Sequence, residues 1–139
     1  MVGGPILLVE DSPDDEFLAV RALRRQGMGQ VVVARDGEEA LARLFGTGVE
    51  GGSALSPWFI LLDLKLPKLN GIDVLQALRD EDHTRLIPVI IMSSSREEAD
   101  VCRCRALGVL DYLAKPVDGR EIVEVLTKAG LMKEAPLTG

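Results

Sequence analysis

Four short runs constrain this chain more than any other feature. Pro5–Val9, Val31–Ala34, Phe59–Leu62 and Val89–Met92 are almost wholly apolar and do not alternate with polar residues. A strand with one wet face alternates. A strand buried on both faces reads as a continuous Val/Ile/Leu run, the pattern of a parallel sheet covered on both sides. A fifth, weaker run, Val109–Leu113, completes the set.

Helix-start signals fall between these runs. Ser12-Pro13-Asp14-Asp15 supplies a cap, a proline in the first turn and acids behind it. Asp36-Gly37-Glu38-Glu39 and Asp118-Gly119-Arg120-Glu121 repeat the cap-and-acid logic, and Ser95-Arg96-Glu97-Glu98 is a capping box. Behind Asp118, residues Ile122, Val125, Leu126 and Ala129 form one apolar helical face. Asn70-Gly71 is compatible with a hairpin turn, but the segment behind it, Ile72–Arg79, reads as a helix, so a loop-to-helix junction is expected. The sum is strand–helix repeated five times, an α/β chain with right-handed crossovers and helices on both faces of a mostly parallel sheet. The long Gly/Ser-rich loop Gly46–Pro57 carries no evident chemistry.

The 139 residues suit a single domain, with a core over about 5–130 and a short tail at 131–139. With 4% aromatic residues, the core must be built from Leu, Val, Ile and Ala. A net charge of −6 argues against a nucleic-acid footprint and against docking on an anionic membrane. Cys102 and Cys104 lie two apart in a helical segment, where side chains do not face each other, so reduced thiols are expected. The first residues lack the charged and apolar regions of a signal peptide, and no run approaches the roughly 20 apolar residues that span a bilayer. A cytoplasmic protein is expected.

In open α/β sheets, sites form outside the carboxyl ends of the strands, at a switch in strand order. Strand 1 delivers Glu10 and Asp11 to that edge, strand 3 Asp63, strand 4 Ser93, and strand 5 Lys115 followed by Pro116. Strand 2 offers nothing comparable. If the strand order is 2-1-3-4-5, the three carboxylates converge, and like charges so placed call for a cation. Mg²⁺ suits a site of carboxylates, water and a phosphate oxygen. Lys115 adds a point charge for a phosphate, and Ser93 a hydroxyl donor. A carboxylate, a metal, an ammonium and a hydroxyl together describe phosphoryl transfer onto an aspartate.

These residues carry a family resemblance. The stretches Ile6–Asp11, Leu61–Pro67, Asn70-Gly71, Pro88–Ser93 and Tyr112–Pro116, in this order and spacing, resemble a response-regulator receiver domain over about residues 5–130. The opening Val-Glu-Asp-Ser-Pro-Asp-Asp and the long loop before strand 3 look most like stand-alone receivers that serve phytochrome-type histidine kinases. The resemblance implies a flavodoxin-like (βα)5 three-layer sandwich with a parallel five-stranded sheet of order 2-1-3-4-5. It implies that Asp63 accepts phosphate from a kinase histidine. Mg²⁺ is then held by Asp11 directly, by Glu10 through water, by Asp63 and by the backbone carbonyl of Lys65. Lys115 pairs with the phosphate, Ser93 bonds it, and Tyr112 then turns inward, altering the helix 4–strand 5–helix 5 face. Lys115-Pro116 is expected as a cis peptide. The implied partners are a sensor histidine kinase, a downstream protein or phosphotransfer partner, and a second copy through the 4-5-5 face, where Val101, Leu107, Val109, Leu110 and Ile122 offer apolar surface. The chain is then a signalling phosphoacceptor with slow self-dephosphorylation, not an enzyme acting on other substrates. Ser93 departs from the commoner Thr but keeps the hydroxyl. Ser94 stands where a smaller residue is usual and crowds the phosphate entrance. The side chains of Lys65 and Ser95 are placed to tune phosphate lifetime.

Plainer readings stand beside these. Asp14 and Asp15 read as helix-capping acids rather than metal ligands, Ser95 as the cap of helix 4, Tyr112 as half-buried core, and His83 as an exposed loop residue, not a phosphodonor. Three other functions are weaker. A phosphate-independent interaction module has no need of the full acidic set. An aspartate-nucleophile phosphohydrolase needs an acid where Lys65 stands. A flavin carrier needs a phosphate-cradling loop where Glu10-Asp11 would repel the ligand.

Overall fold

The computed structural model describes residues 4–47, 54–94 and 98–132. Strands β1 (Ile6–Val9), β2 (Val31–Ala34), β3 (Phe59–Asp63), β4 (Val89–Ser93) and β5 (Asp111–Ala114) alternate with helices α1 (Pro13–Arg25), α2 (Gly37–Phe45), α3 (Gly71–Asp80), α4 (Glu98–Ala106) and α5 (Gly119–Lys128). The strands form one sheet of order β2-β1-β3-β4-β5, with every pairing parallel. This is the flavodoxin-like arrangement that the resemblance implies, and the parallel sheet covered on both faces that the apolar runs call for.

The missing alternation has a direct cause. Ile6, Leu8, Phe59, Leu61, Ile90, Met92 and Leu113 pack with Ala19 and Leu23 of α1 and with Ile122 and Leu126 of α5. Leu7, Val9, Ile60, Leu62, Val89, Ile91 and Tyr112 pack on the other side, with Ala40 and Leu44 of α2, Val74 and Leu75 of α3 and Cys104 of α4. Successive residues point to opposite faces, and both faces are covered, so β1, β3 and β4 are buried throughout.

The caps follow the sequence. Ser12 accepts from the Asp15 N–H, Asp36 from Glu39, Asn70 from Asp73 and Asp118 from Arg120. Asn70 is thus a helix cap and not half of a hairpin. The capping box Ser95–Glu98 begins outside the described residues; α4 is seen from Glu98 onward.

Two boundaries differ from the sequence reading. The fifth strand begins at Asp111, not Val109. Gly108, at φ 75°, ends the helical chain, and Val109 N–H still points back to the Cys104 carbonyl at 3.4 Å. Ala129 caps α5 and is exposed, so the buried face of that helix is Ile122, Val125 and Leu126. No described helix is long and apolar enough to cross a membrane. Cys102 is exposed, Cys104 is buried, and the two are unbridged.

Candidate functional site

β3 and β4 each run one residue further than their apolar stretches, so Asp63 and Ser93 are the last residues of their strands. Asp63 is held from two sides. Its Oδ1 accepts from the Lys65 N–H at 3.1 Å, and its Oδ2 from the Lys115 ammonium at 2.9 Å. The loop behind it closes tightly: Gly71 donates to the Leu64 carbonyl at 2.9 Å, and a Cβ at Gly71 would lie 2.5 Å from the Asp63 carbonyl oxygen. Only glycine fits where the chain returns past the site.

Lys115 stands at the centre. Its side chain is 13% exposed, and its ammonium meets Glu10 Oε1 at 2.6 Å, Asp63 Oδ2 at 2.9 Å and Asp15 Oδ2 at 3.1 Å. Its backbone N–H donates to the Ser93 carbonyl at 3.0 Å, which ties the end of β5 to the end of β4. The Lys115–Pro116 peptide is cis. Burial alone would pull the ammonium below the ordinary lysine value, but hydrogen bonds and charge from Asp63 and Glu10 outweigh it and raise the pKa.

Glu10 is fully buried, its Oε2 accepting from the Ser12 N–H at 3.1 Å. Burial pushes its carboxyl up to about 7, helped by the charge of Asp63 and opposed by Lys115 and the Ser12 N–H. Asp11 is exposed, and ligand oxygens of Glu10, Asp11 and Asp63 all lie within 4.8 Å of one another. Apart from the ammonium, no hydrogen-bond donor among the described residues reaches Glu10 Oε1. Three hard oxygen donors, one of them a buried carboxylate oxygen with no hydrogen-bond partner of its own, fit a divalent cation such as Mg²⁺.

Not every other predicted residue reaches the site. Lys65 joins the site through its backbone and has an exposed side chain. Ser93 is fully buried at the end of β4, and Ser94 is exposed. Tyr112, expected to turn inward only on switching, already lies inside at 3% exposure, packed in the core that includes Cys104. Cys104 is the buried residue that α4 contributes to that core. His83 is exposed and lies edge-on to Phe45. Asp14 is exposed, in the first turn of α1. Asp15 was read as a cap acid, yet its carboxylate reaches Lys115. The available signal was its place in the first turn of α1, directly behind Glu10-Asp11, which puts that turn on the same sheet edge.

The profile of the response regulator receiver domain matches residues 6–127. The chain belongs to that family. Receiver domains act in two-component signalling, where they take phosphate from histidine kinases, and the family binds Mg²⁺. Among solved receivers, the bacteriophytochrome response regulator AtBRR is 42% identical, with a TM-score of 0.84 over 97% of this chain and 98% of its own. The Mn²⁺-bound form of the response regulator Rcp1 is 32% identical, with a TM-score of 0.77 over 95% of this chain and 97% of its own. A probable methanogenesis regulatory protein, FilR2 of Methanothrix harundinacea, is 38% identical over 120 residues, which cover 84% of this receiver and 75% of FilR2. The match to some transcriptional regulatory proteins spans only 45% of their length.

Proposed function

We propose that this receiver accepts a phosphoryl group on Asp63 from a sensor histidine kinase of phytochrome type. The observation that carries the reading is the Asp63 carboxylate itself: buried at a strand end, with one oxygen on the Lys115 ammonium and the other on the Lys65 N–H, beside two further carboxylates. One Asp63 oxygen attacks phosphorus while the bond from phosphorus to the donor imidazole nitrogen breaks, and its electron pair leaves on that nitrogen. Lys115 remains protonated and neutralises charge on the phosphoryl oxygens. Glu10, Asp11, Asp63 and the Lys65 carbonyl would hold Mg²⁺, which supplies further positive charge to those oxygens when bound. The Mn²⁺-bound form of Rcp1 supports a divalent ion here.

Ser93 then donates to a phosphoryl oxygen, and the change passes through Tyr112 to the α4–β5–α5 face, which meets a downstream protein or a second copy of the chain. The bacteriophytochrome regulators of like structure support the kinase class. The activity is phosphoacceptance with slow self-dephosphorylation. Incubation with acetyl phosphate and Mg²⁺, followed by intact mass, tests this. Wild type gains one phosphoryl group and Asp63→Asn gains none; no gain by wild type at any Mg²⁺ concentration rules the proposal out.

A further inference from the structure

An ammonium has three N–H donors and no acceptor. Three carboxylate oxygens stand against that of Lys115: Glu10 at 2.6 Å, Asp63 at 2.9 Å and Asp15 at 3.1 Å. It donates to Asp63 and to Asp15, and the Glu10 oxygen fills its remaining side as a close ion pair. A phosphoryl group on Asp63 brings new anionic oxygens that need the same donors, so one carboxylate must let go. Glu10 has no exposed side-chain surface, and Asp63 carries the group itself. Asp15 makes the longest contact and has the most exposed side chain, 38% against 0% for Glu10 and 4% for Asp63. Water can replace the ammonium at Asp15 with the least penalty. The cap bond from the Asp15 N–H to Ser12 Oγ, at 3.3 Å, fixes the turn that places this carboxylate over Lys115.

We propose that Asp15 is a positioning residue that holds one donor of Lys115 and yields it to the phosphoryl group, so that its charge sets how fast Asp63 is phosphorylated. The proposal rests on the reading of Asp63 as the acceptor. Asp15 is outside the convergence of Glu10, Asp11 and Asp63, so it acts on the ammonium and not on the metal ligands. Its negative charge also opposes an anionic donor. As the Asp63–phosphorus bond forms and the donor's bond to phosphorus breaks, one Lys115 N–H passes from Asp15 to a phosphoryl oxygen. No proton is transferred, and the Asp15 carboxylate is left to water.

The test follows phosphoryl gain by intact mass over time, with acetyl phosphate and saturating Mg²⁺, at low and at 1 M salt. Asp15→Asn should gain the group about threefold faster than wild type, the size of a partly exposed ion pair. Asp15→Glu should return to the wild-type rate. The advantage of Asp15→Asn should shrink at 1 M salt, where exposed charges are screened, and Mg²⁺ affinity measured by calorimetry should be unchanged. Asp15→Ala checks the same charge loss without an amide. The proposal is overturned if Asp15→Asn and Asp15→Ala react no faster than wild type, if the gain survives 1 M salt undiminished, or if Mg²⁺ affinity shifts as much as the rate. A wild type that takes up no phosphoryl group sinks the reading of Asp63 and this one with it. Normal wild-type uptake with unresponsive Asp15 variants sinks this one alone.

Discussion

Two partly buried cations mark opposite ends of the sheet, and they are held in different ways. Lys115, at the carboxyl end, is met by three carboxylates. Arg79, at the last turn of α3, faces the amino ends of β4 and β5. It donates to the carbonyls of Leu107 at 2.7 Å, Arg85 at 2.9 Å, Ile87 at 2.9 Å and Gly108 at 3.5 Å, and pairs with no acid among the described residues. Burial draws the Arg79 pKa below the ordinary value, whereas the carboxylates around Lys115 raise its own. Carbonyls are spent once the fold is made, so Arg79 ties loops together. Carboxylates remain nucleophiles and ligands, so the same positive charge at the other end sits among groups that can react.

The comparison breaks or sharpens in three experiments. Arg79→Ala should have the largest effect on stability. It leaves several loop carbonyls without their donor, a loss of about 3 kcal/mol, or about 6–12 °C in Tm for a chain of this size. Phosphoryl uptake below the new Tm should persist. Equal loss of uptake would mean that Arg79 serves the site after all.

Lys115→Ala should come next, at about 2 kcal/mol at pH 8 by urea unfolding, since it leaves buried negative charge unpaired. The deficit should fade at pH 5, where Glu10 holds a proton, and on addition of Mg²⁺. A deficit independent of both would make Lys115 a packing residue like Arg79.

The third effect is a slope, spread over the pH range and not a single loss. The Glu10 carboxyl is raised from 4.5 to about 7 in the folded protein. Between those values the folded state binds more protons than the unfolded state, so stability should fall as pH rises from about 4.5 to about 7. Glu10→Gln should flatten that fall, and Mg²⁺, which favours the ionised form, should reduce it. A rise over the same window would refute the assignment.

Much of this was legible because the apolar runs stop where the chemistry starts. Asp63 and Ser93 each directly follow a run, and Glu10 and Lys115 follow β1 and β5. The two cations show where legibility ends. Lys115 announces itself by its place at a strand end and the proline behind it. Arg79 binds carbonyls, which every residue owns, so no side-chain pattern marks its partners. Asp15 was misread for a related reason: an acid in a first helical turn has a sufficient local explanation, and its distant partner, 100 residues on, leaves no local trace. The fifth strand was placed early because Val109 and Leu110 are apolar, while Gly108 and the return to Cys104 keep the chain in a helix-ending turn.

The two faces of the sheet assign work as well as packing. By alternation, Asp63 follows Phe59 and Leu61 and Lys115 follows Leu113, on the side of α1 and α5. Ser93 follows Val89 and Ile91, and with Tyr112 it belongs to the side of α4. The proposed acceptor and the proposed hydroxyl thus leave adjacent strands on opposite faces and can meet only beyond the carboxyl edge of the sheet. On the proposed reading, a phosphoryl group on Asp63 would bridge that edge and couple the side of α1 and α5 to the side of α4 without any strand having to slide, and insertion of a single residue in β4 would turn the hydroxyl away from the side where Tyr112 lies.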